Sequence, residues 1–434
     1  MNDGNRIRHV QTSELSKLIK SLPNKKAPGI DGISFEHLKF GGQLLVDHLC
    51  NLFNLILEKC VTPMSWKCSV VIPLYKGGNK SKTDVNSYRG ISLLPSICKL
   101  FEKLLDNRVD DKLENFPNPQ QVAYQKQLCS MFASFDLQET VHHYIERNST
   151  VIVTFLDSTR AFDTVDHDCL KVKLYEFGVT GKLWTLLDNM YWNLKSCVRC
   201  NGILSRYFDL NRGVRQGSSL SSKLYLIYIN ELIDLVSASG MGAVVLDIQS
   251  GCPVQADDIA LIASNETYMQ SLINICYEYS QQWKFKFSQA KSQVMVFSTR
   301  AIRTDLKLNH VGIPVCNSVK HVGITINDKF NSMDRTIAAC RTIRSLSMSV
   351  IRLGIHPSVL NLVTCSKIIM NLCYSKALYG CELWNGLKES EYLLLERAHR
   401  YVCKYLQGLP QRARTDKCTS LLGWSSITSI INLK

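Results

Sequence analysis

The sequence predicts an α+β fold, and three observations support this prediction. A β-branched apolar run from Val151 to Leu156 ends abruptly at Asp157, and a helical pattern follows it. The stretch "GAVVLDIQSGCPVQADDIALIAS" alternates apolar residues on either side of a short acidic turn, which is typical of a β-hairpin. Helix-like stretches such as "RTIRSLSMSVIRL" and "EYLLLERAHRYVCKYLQ" occupy the last hundred residues. Strands in the middle of the chain are therefore combined with helices at its end.

The N-terminal part begins with two predicted helices. "TSELSKLIKS" forms the first, a basic Pro/Gly turn follows, and the second helix begins near Ser34. "SWKCSVVIPLY" is then a strand, and a polar loop leads to an amphipathic helix from about Pro95. This loop carries Lys76, Lys80, Lys82 and Arg89. On composition alone, a solvated loop is its ordinary interpretation.

Two later segments complete the predicted organisation. "RGVRQGSSLSSKLYLIYINELIDLV" is a Gly-rich basic turn followed by a helix with an apolar face. From 335 onward the chain has 14 basic and 5 acidic residues, so we expect a separate basic helical unit. The predicted units are 1–70, a helical extension; 71–330, the part that contains the predicted strands; and 331–434, a basic helical region.

Composition limits the classes of partner and compartment. Lys and Arg number 51 against 37 acids in 434 residues, a net charge of +14, which favours polyanionic partners. The 17 cysteines are scattered, mostly in apolar stretches, so we expect reduced thiols in an intracellular protein and not a zinc site or disulfide frame. The polar N-terminus lacks a signal-peptide core, and no apolar run is long enough to predict a membrane span.

Three acids are candidates for a metal site. If the strand that ends at Asp157 lies beside the hairpin, its carboxylate converges with those of Asp257 and Asp258. Magnesium prefers such oxygen ligands, and two ions can clamp the attacking and leaving oxygens of a phosphoryl transfer. An Asp-Asp pair in a turn is more often structural, because aspartate is a common turn residue. The strand-terminal Asp157 favours the metal interpretation.

The order of these motifs resembles the reverse transcriptases of LINE-type, non-LTR retrotransposons. "FLDSTRAFDTVDH", "RGVRQGSSLSSKLYLIYINEL" and "QADDIALIAS" are similar to the central motifs of that family. "LPNKKAPGIDGIS" and "VIPLYKGGNKSKTDVNSYRGISLLPSICKLFEKLL" resemble its fingers, and "FKFSQAKSQVMVFS" with "HVGITIN" resembles the motifs after the hairpin. The similarity covers roughly residues 15 to 330. It implies a right-hand polymerase fold with an α+β palm. In that fold 1–70 would lead into the fingers, 71–330 would form fingers and palm, and 331–434 would be a basic, helical, thumb-like region.

The resemblance also assigns roles to individual residues. Asp157, Asp257 and Asp258 become the metal-binding triad for two Mg²⁺ ions, with Mn²⁺ as an alternative. The implied dNTP-binding residues are Lys76, Arg89, Phe162, Arg215, Gln216 and Gly217, and the implied proton donor to the leaving pyrophosphate is Lys291. Phe162 would exclude a ribose 2′-hydroxyl; core packing beside Ala161 is the alternative. For Lys291 the alternative is an exposed lysine at a strand edge. Asp163, Asp166 and Asp168 are expected to serve helix N-termini.

Two positions depart from the family pattern. Gln255 stands where an aromatic residue is usual, near the expected primer terminus, and Gly90 stands where proline is usual. "AYQKQLCSMFASF" is only weakly similar to the basic motif that the family carries before its first catalytic strand. The loss of those basic residues would weaken template contact.

The predicted activity is RNA-directed DNA polymerisation on an RNA template, a DNA primer or target, and dNTPs. The alternatives are a degenerate, non-catalytic nucleic-acid-binding protein, a group II intron maturase and an RNA-dependent RNA polymerase. Too few residues precede "KKAPGIDG" for the family's endonuclease domain, so we expect a fragment of a longer reading frame or a lone polymerase module. No targeting signal is recognised, and nucleus and cytoplasm are the expected compartments.

Overall fold

The computed structural model describes residues 7–78, 80–298, 304–384 and 386–433. It combines helices with several sheets, which confirms the predicted α+β class. The strands are β1 (Cys68–Tyr75), β2 (Tyr88–Leu93), β3 (Val151–Asp157), β4 (Lys195–Cys200), β5 (Ile203–Leu204), β6 (Phe208–Asp209), β7 (Val244–Val245), β8 (Ile248–Gln249), β9 (Val254–Gln255), β10 (Asp258–Ala263), β11 (Gln293–Phe297), β12 (Lys307–Leu308), β13 (Val311–Gly312), β14 (Ser318–His321) and β15 (Ile324–Asn327).

The helices include those that the sequence predicts. The second helix has Ser34 as its N-cap and His37 in a capping box, and the helix predicted from about Pro95 begins at Ser96. The helices are α1 (Thr12–Ser21), α2 (Phe35–Phe40), α3 (Gly42–Lys59), α4 (Ser96–Asp110), α5 (Met131–Glu146), α6 (Ala161–Thr164), α7 (His167–Glu176), α8 (Gly181–Tyr191), α9 (Ser221–Ala238), α10 (Glu266–Gln282), α11 (Met333–Arg352), α12 (Leu362–Ile369), α13 (Ser375–Ala377), α14 (Glu389–Leu406), α15 (Thr415–Leu422) and α16 (Ile427–Asn432).

A four-stranded antiparallel sheet lies at the centre, in the order β11-β3-β10-β9. Both of its faces are buried. Ile152 and Leu156 of β3 belong to a core that includes α9 and α10, whereas Val153 and Phe155 belong to a second core that includes Leu137 of α5. Alternate residues of a strand point to opposite faces, which explains why β3 is apolar at nearly every position.

A second sheet has the order β2-β1-β4-β5, and β6 also pairs with β4. β1 runs antiparallel to β2 but parallel to β4. Cys197 and Cys200 on β4 have C-x-x-C spacing, yet residues three apart on a strand point to opposite faces; Cys197 is buried and Cys200 exposed. No two cysteines in the described ranges form a disulfide.

The C-terminal helices α11 to α16 pack around a hydrophobic core of their own, formed by buried residues from Ala339 to Ile431. By contrast, the N-terminal helices share a core with the central sheet. The boundaries after residues 70 and 330 remain predictions. No helix within the described ranges is both long enough and apolar enough to span a bilayer.

The turn before α9 is packed tightly against β2. Ser92 N donates to the Gln216 carbonyl at 2.7 Å, and Gly217 adopts φ +123°. A Cβ added at Gly217 would lie 2.5 Å from the Ser92 carbonyl oxygen. This position therefore requires glycine for both its backbone conformation and its lack of a side chain.

Gly217→Ala should lower the free energy of unfolding more than Gly42→Ala does. Gly42 also has a positive φ, +73°, but no atom lies within 4 Å of the place that an added Cβ would take, so that control isolates backbone strain. The measurement is urea unfolding followed by circular dichroism. Equal losses in the two variants would contradict the steric role assigned to Gly217.

Candidate active site

Two of the predicted acids lie directly opposite each other in the central sheet. Asp157 is the last residue of β3 and Asp258 is the first residue of β10, and the antiparallel register pairs them. Directly opposed residues on neighbouring strands have Cβ atoms about 4.5–5.5 Å apart. The structure thus brings together two acids that are a hundred residues apart in the chain.

The third acid lies in the turn that joins β9 to β10. Gln255 pairs with Asp258, so Ala256 and Asp257 form a two-residue hairpin turn. Ala256 has φ +57°, in the left-handed region that such tight turns require. This hairpin confirms the one that the alternating sequence predicts, and it holds Asp257 next to Asp258.

The three carboxylates influence one another electrostatically. Burial, reinforced by the charges of Asp257 and Asp157, raises the pKa of Asp258 to about 6. Burial also raises the pKa of Asp257, and the charge of Asp157 adds to this effect. Although the cleft leaves Asp258 accessible to water, surrounding protein disfavours its charged form. Ionised acids so arranged favour the binding of a cation.

Lys291 lies with these acids. Its Nζ donates to Asp157 Oδ2 at 2.8 Å, and its side chain is 66% exposed. The residue precedes β11, which pairs with β3 and so returns the chain to the end of the central sheet. Lys291 is exposed, as the alternative interpretation holds, but it also contacts an acid of the predicted triad.

Cations surround the same cleft. Burial lowers the pKa of Lys76, and the nearby charges of Lys80, Arg89, Lys291 and Arg160 lower it further. Arg89 and Lys291 both oppose the rise in the pKa of Asp257. Arg89 lies on β2 and Lys76 directly follows β1, so this pair of strands brings positive charge towards the acids. Such a concentration of positive charge favours binding of a polyphosphate.

Phe162 is half-buried beside the acids. Its ring stacks on Tyr225 with centroids 4.8 Å apart and meets Tyr124 edge-on at 6.5 Å. Tyr225 is itself close to Asp257, whose charge adds to burial in raising the pKa of its phenol. The ring therefore packs against aromatic neighbours while lying near the carboxylates, which is compatible with both interpretations of this residue.

The residues of the Arg-Gln-Gly turn, 215–217, make two kinds of contact. Arg215 is buried: its guanidinium lies 3.2 Å from Glu102 and donates to the Trp66 carbonyl at 2.9 Å. We expected Arg215 among the nucleotide-binding residues, but this buried pairing does not offer its guanidinium to a nucleotide. Gln216 lies nearer the surface, and its Nε2 donates to Asp163 Oδ1 at 3.3 Å.

Among the acids expected at helix N-termini, Asp166 is the N-cap of α7, and its side chain accepts a hydrogen bond from Cys169 N at 3.1 Å. This prediction is confirmed. Asp168 lies in the first turn of the same helix, and Asp163 lies in the first turn of α6.

A family model described as reverse transcriptase (RNA-dependent DNA polymerase) matches residues 79–326, more than half of the chain. The chain belongs to the reverse transcriptase family. This membership confirms the predicted right-hand polymerase fold, and the relatives below, which come from retrotransposable elements, confirm the resemblance to the non-LTR group.

Two curated relatives are both from Drosophila melanogaster. The probable RNA-directed DNA polymerase from transposon BS is 26% identical over 92% of this chain and 45% of its own length. The RNA-directed DNA polymerase from mobile element jockey is 26% identical over 74% of this chain and 35% of its own length. This reverse transcriptase chain thus spans less than half the length of these relatives.

A solved structure of apo telomerase from Candida tropicalis, truncated from the C-terminal domain, also aligns with the chain. The alignment covers 66% of this chain and 59% of the telomerase chain, at 13% identity and a TM-score of 0.41.

The acids of this reverse transcriptase suit a hard cation. Asp157, Asp257 and Asp258 offer only carboxylate oxygens, the donors that Mg²⁺ prefers, and a cation would relieve their mutual repulsion. Within the described ranges, however, no group of three His, Cys, Asp or Glu side chains is already arranged to hold a metal ion. The donor chemistry fits the ion, whereas the ion pair between Lys291 and Asp157 occupies one of the oxygens.

Sequence reasoning missed Gln121, a fully buried residue that holds the hairpin turn. Its Oε1 accepts from Ala256 N at 2.9 Å and from Ala123 N at 3.0 Å. Val122 N donates to the Val254 carbonyl at 3.0 Å, so the loop pairs with β9 along its outer edge. The only sequence signal was "NPQQVAYQ", a polar loop without any periodicity.

Tyr124 and Arg160 were also missed. Tyr124 is 60% exposed with φ +58°, and the charge of Asp257 adds to burial in raising the pKa of its phenol. Arg160, with φ +50°, donates from Nη2 to Asn86 Oδ1, which links the turn after β3 to the loop after β1. Both residues adopt a backbone conformation that is uncommon for side chains of their size. Such outliers are frequent at functional sites.

The two departures from the family pattern differ in their surroundings. Gln255 is half-buried, and its Oε1 has no hydrogen-bond partner among the described residues. Gly90 pairs with Pro73 at the exposed end of β2, where an added Cβ would lie 2.9 Å from Val71 Cγ1. Gln255 therefore introduces an unpaired polar atom into the hairpin, whereas a side chain at position 90 would require Val71 to shift.

Asp258→Asn should stabilise the protein in EDTA at pH 7.5 but not at pH 4. Because the pKa of Asp258 is about 6 in the folded state, above its ordinary value of 3.8, its contribution to stability is present below pH 4 and lost as the pH rises through 6. The asparagine cannot ionise and avoids this loss. The measurement is the difference in Tm between variant and wild type across pH. The exposed Asp247→Asn is the control, and a difference that does not grow with pH would refute the prediction.

Gln121→Ala should loosen the hairpin turn. Loss of the side-chain oxygen leaves the buried amides of Ala256 and Ala123 unpaired, at a cost of about 1–3 kcal/mol each. We expect hydrogen exchange in peptide 252–263 to accelerate by roughly tenfold or more. Gln127→Ala, an exposed change in the same loop, serves as the control. Unchanged exchange in the Gln121 variant would show that the hydrogen bond does not hold the turn.

Proposed function

We propose that the chain is an RNA-directed DNA polymerase that adds deoxynucleotides to a primer 3′-hydroxyl on an RNA template. The reaction is an in-line phosphoryl transfer at Asp157, Asp257 and Asp258. The observation that carries this proposal is the register that sets Asp157 opposite Asp258, with Asp257 in the adjoining turn. An arrangement that concentrates repulsive charge is difficult to explain by stability alone.

The three carboxylates would hold two divalent ions, Mg²⁺ or Mn²⁺. Bound ions of this kind supply stabilisation of the attacking and leaving oxygens in a phosphoryl displacement. Reverse transcriptases in general use divalent metal ions. In this chain the Asp157 oxygen that accepts a hydrogen bond from Lys291 would also be a ligand of the ion, and the Lys291 Nζ would then be available to the substrate.

The cations around the cleft would bind the triphosphate. Arg89 and Lys76 come from the fingers strands, and Arg160 comes from the turn after β3. Arginine binds phosphate oxygens through two parallel hydrogen bonds, which orients the group as well as attracting it. Positioning and charge stabilisation account for most of the catalysis in such transfers.

Lys291 would serve the leaving pyrophosphate. Its Nζ is exposed and lies at the edge of the acidic site, where it can stabilise developing negative charge and deliver a proton. Gln216 would contact the incoming nucleotide. Arg215 and Gly217 would act as positioning residues, because their contacts are with Glu102, Trp66 and Ser92 in the surrounding structure.

The partners follow from this reaction: an RNA template, a DNA primer or target, and dNTPs. The basic C-terminal helices would contact the phosphates of the template-primer duplex, so binding should weaken steeply with salt. We place the protein inside the cell, in the nucleus and cytoplasm where such nucleic acids occur. A basic net charge of +14 is consistent with these polyanionic partners.

Asp257→Asn should reduce primer extension by at least ~10³-fold, equivalent to roughly 4 kcal/mol of lost transition-state stabilisation. The assay uses a poly(rA)/oligo(dT) template-primer with dTTP and Mg²⁺. Asp247→Asn makes the same chemical change in another hairpin turn and should retain wild-type activity. If the wild type extends no better than the Asp257 variant while both bind the duplex, the chain is a non-catalytic nucleic-acid-binding protein.

Phe162→Ala should reduce discrimination against ribonucleotides. If the ring excludes the 2′-hydroxyl, the ratio of kcat/KM for dNTP over rNTP should fall by roughly 10- to 200-fold. Phe208→Ala removes an exposed ring on β6 and should leave the ratio unchanged. A Phe162 variant that loses stability but keeps the wild-type ratio would favour the core-packing interpretation.

A further inference from the structure

A cavity of about 510 Å³ lies between the β14–β15 hairpin and the C-terminal helices. Lys320 and Thr325 line it from the hairpin, Arg335 from α11 and Lys376 from α13. Its volume is within the roughly 300–1,000 Å³ that is usual for ligand sites. It shares no residue with the acidic site, so it requires an explanation of its own.

Arg335 is the central feature of this cavity. The residue is only 7% exposed, and its Nη1 donates to the Leu383 carbonyl at 3.3 Å. Its Nε has no hydrogen-bond partner among the described residues, and no carboxylate in those ranges lies within ion-pair distance of it. A buried cation without a paired anion is costly.

Glu391 is the acid whose charge acts on Arg335, but it forms no ion pair with the guanidinium. Burial lowers the pKa of Arg335, and the charge of Glu391 opposes the change only in part. The Glu391 carboxylate accepts hydrogen bonds from Ser332 Oγ at 2.6 Å and from Lys388 N at 2.7 Å, where it caps α14. The Glu391 carboxylate therefore caps α14 and does not pair with Arg335.

Two further cations line the cavity, whereas none of the described acids does. Lys320 and Lys376 are exposed, and neither has an ion pair within the part of the chain that the structure describes. Three positive groups from three separate elements therefore meet at one cavity. Their repulsion disfavours this arrangement unless an anion lies among them.

We propose that this cavity binds a phosphate group. The planar guanidinium of Arg335 provides the deep contact, and Lys320 and Lys376 neutralise the remaining charge at the opening. Two sources share this chemistry: a backbone phosphate of a bound nucleic acid, or a free phosphate anion. Because the three cations belong to the hairpin, α11 and α13, the bound anion would tie the C-terminal helices to the hairpin.

The site is tested with the full chain in EDTA and without dNTPs, so that the result does not depend on catalysis. Inorganic phosphate and pyrophosphate are titrated against chloride at matched ionic strength while Tm is recorded. A ligand that binds only the folded state raises Tm in a saturable way. We expect the double variant Lys320→Gln, Lys376→Gln to need at least tenfold more phosphate for half of the effect.

The matched control is Lys17→Gln, Lys20→Gln, which removes the same charge from exposed positions on α1, outside the C-terminal helices. It should respond to phosphate as the wild type does. Arg335→Lys keeps the charge but loses the fork, and should weaken the phosphate effect without abolishing it. If Arg335→Lys does not fold, the double lysine variant decides the result alone. Equal phosphate responses in all variants, or a wild-type response no larger than that to chloride, would overturn the proposal.

A second measurement identifies the source of the phosphate. Binding of a labelled RNA–DNA hybrid is followed by fluorescence anisotropy over a salt series. If a backbone phosphate enters the cavity, the variant Lys320→Gln, Lys376→Gln should bind the hybrid more weakly than its control. The slope of its log binding constant against log salt concentration should then be shallower by roughly two. If the ligand is a free anion, the two variants should bind the hybrid equally while still differing in their response to phosphate.

Discussion

The pairing of Asp157 with Asp258 across two antiparallel strands is the constraint on which the candidate active site depends. Like charges directly opposite each other destabilise a sheet, and burial makes the effect larger. The central sheet tolerates the pair because β3 and β10 are buried on both faces by apolar residues over the rest of their length. The repulsion is thus confined to one end of the sheet, where Lys291 and Arg89 offset it.

Two other sets of contacts connect the acidic site to the surrounding structure. The loop that contains Gln121 pairs with the outer edge of the hairpin that carries Asp257 and fixes its turn. On the other side, the buried pair of Arg215 and Glu102 joins the turn before α9 to α4, and Gly217 allows the same turn to approach β2. Buried contacts therefore hold both turns, whereas Lys76 and Arg160 lie on loops.

Features with a local sequence signal were predictable, and those that depend on contacts across the chain were not. The run that ends at Asp157 and the alternation around Asp257 revealed both strands and the acids that they carry. The buried position of Arg215 could not be predicted, because its partner Glu102 is more than a hundred residues away and the motif itself suggested a phosphate contact. Gln121 and Arg335 had no signal at all, since a polar residue becomes notable only when its burial is known.

The hydrogen bond from Ala256 to Gln121 has a consequence for how related chains are judged. The three acids of this site are short side chains whose placement depends on a backbone turn, and that turn depends on a glutamine more than a hundred residues earlier. A copy of such a gene can therefore keep every acid and still lose a correctly shaped site through one change in an unremarkable loop. Counting intact acidic motifs among genomic copies would then overstate how many of them encode a working polymerase.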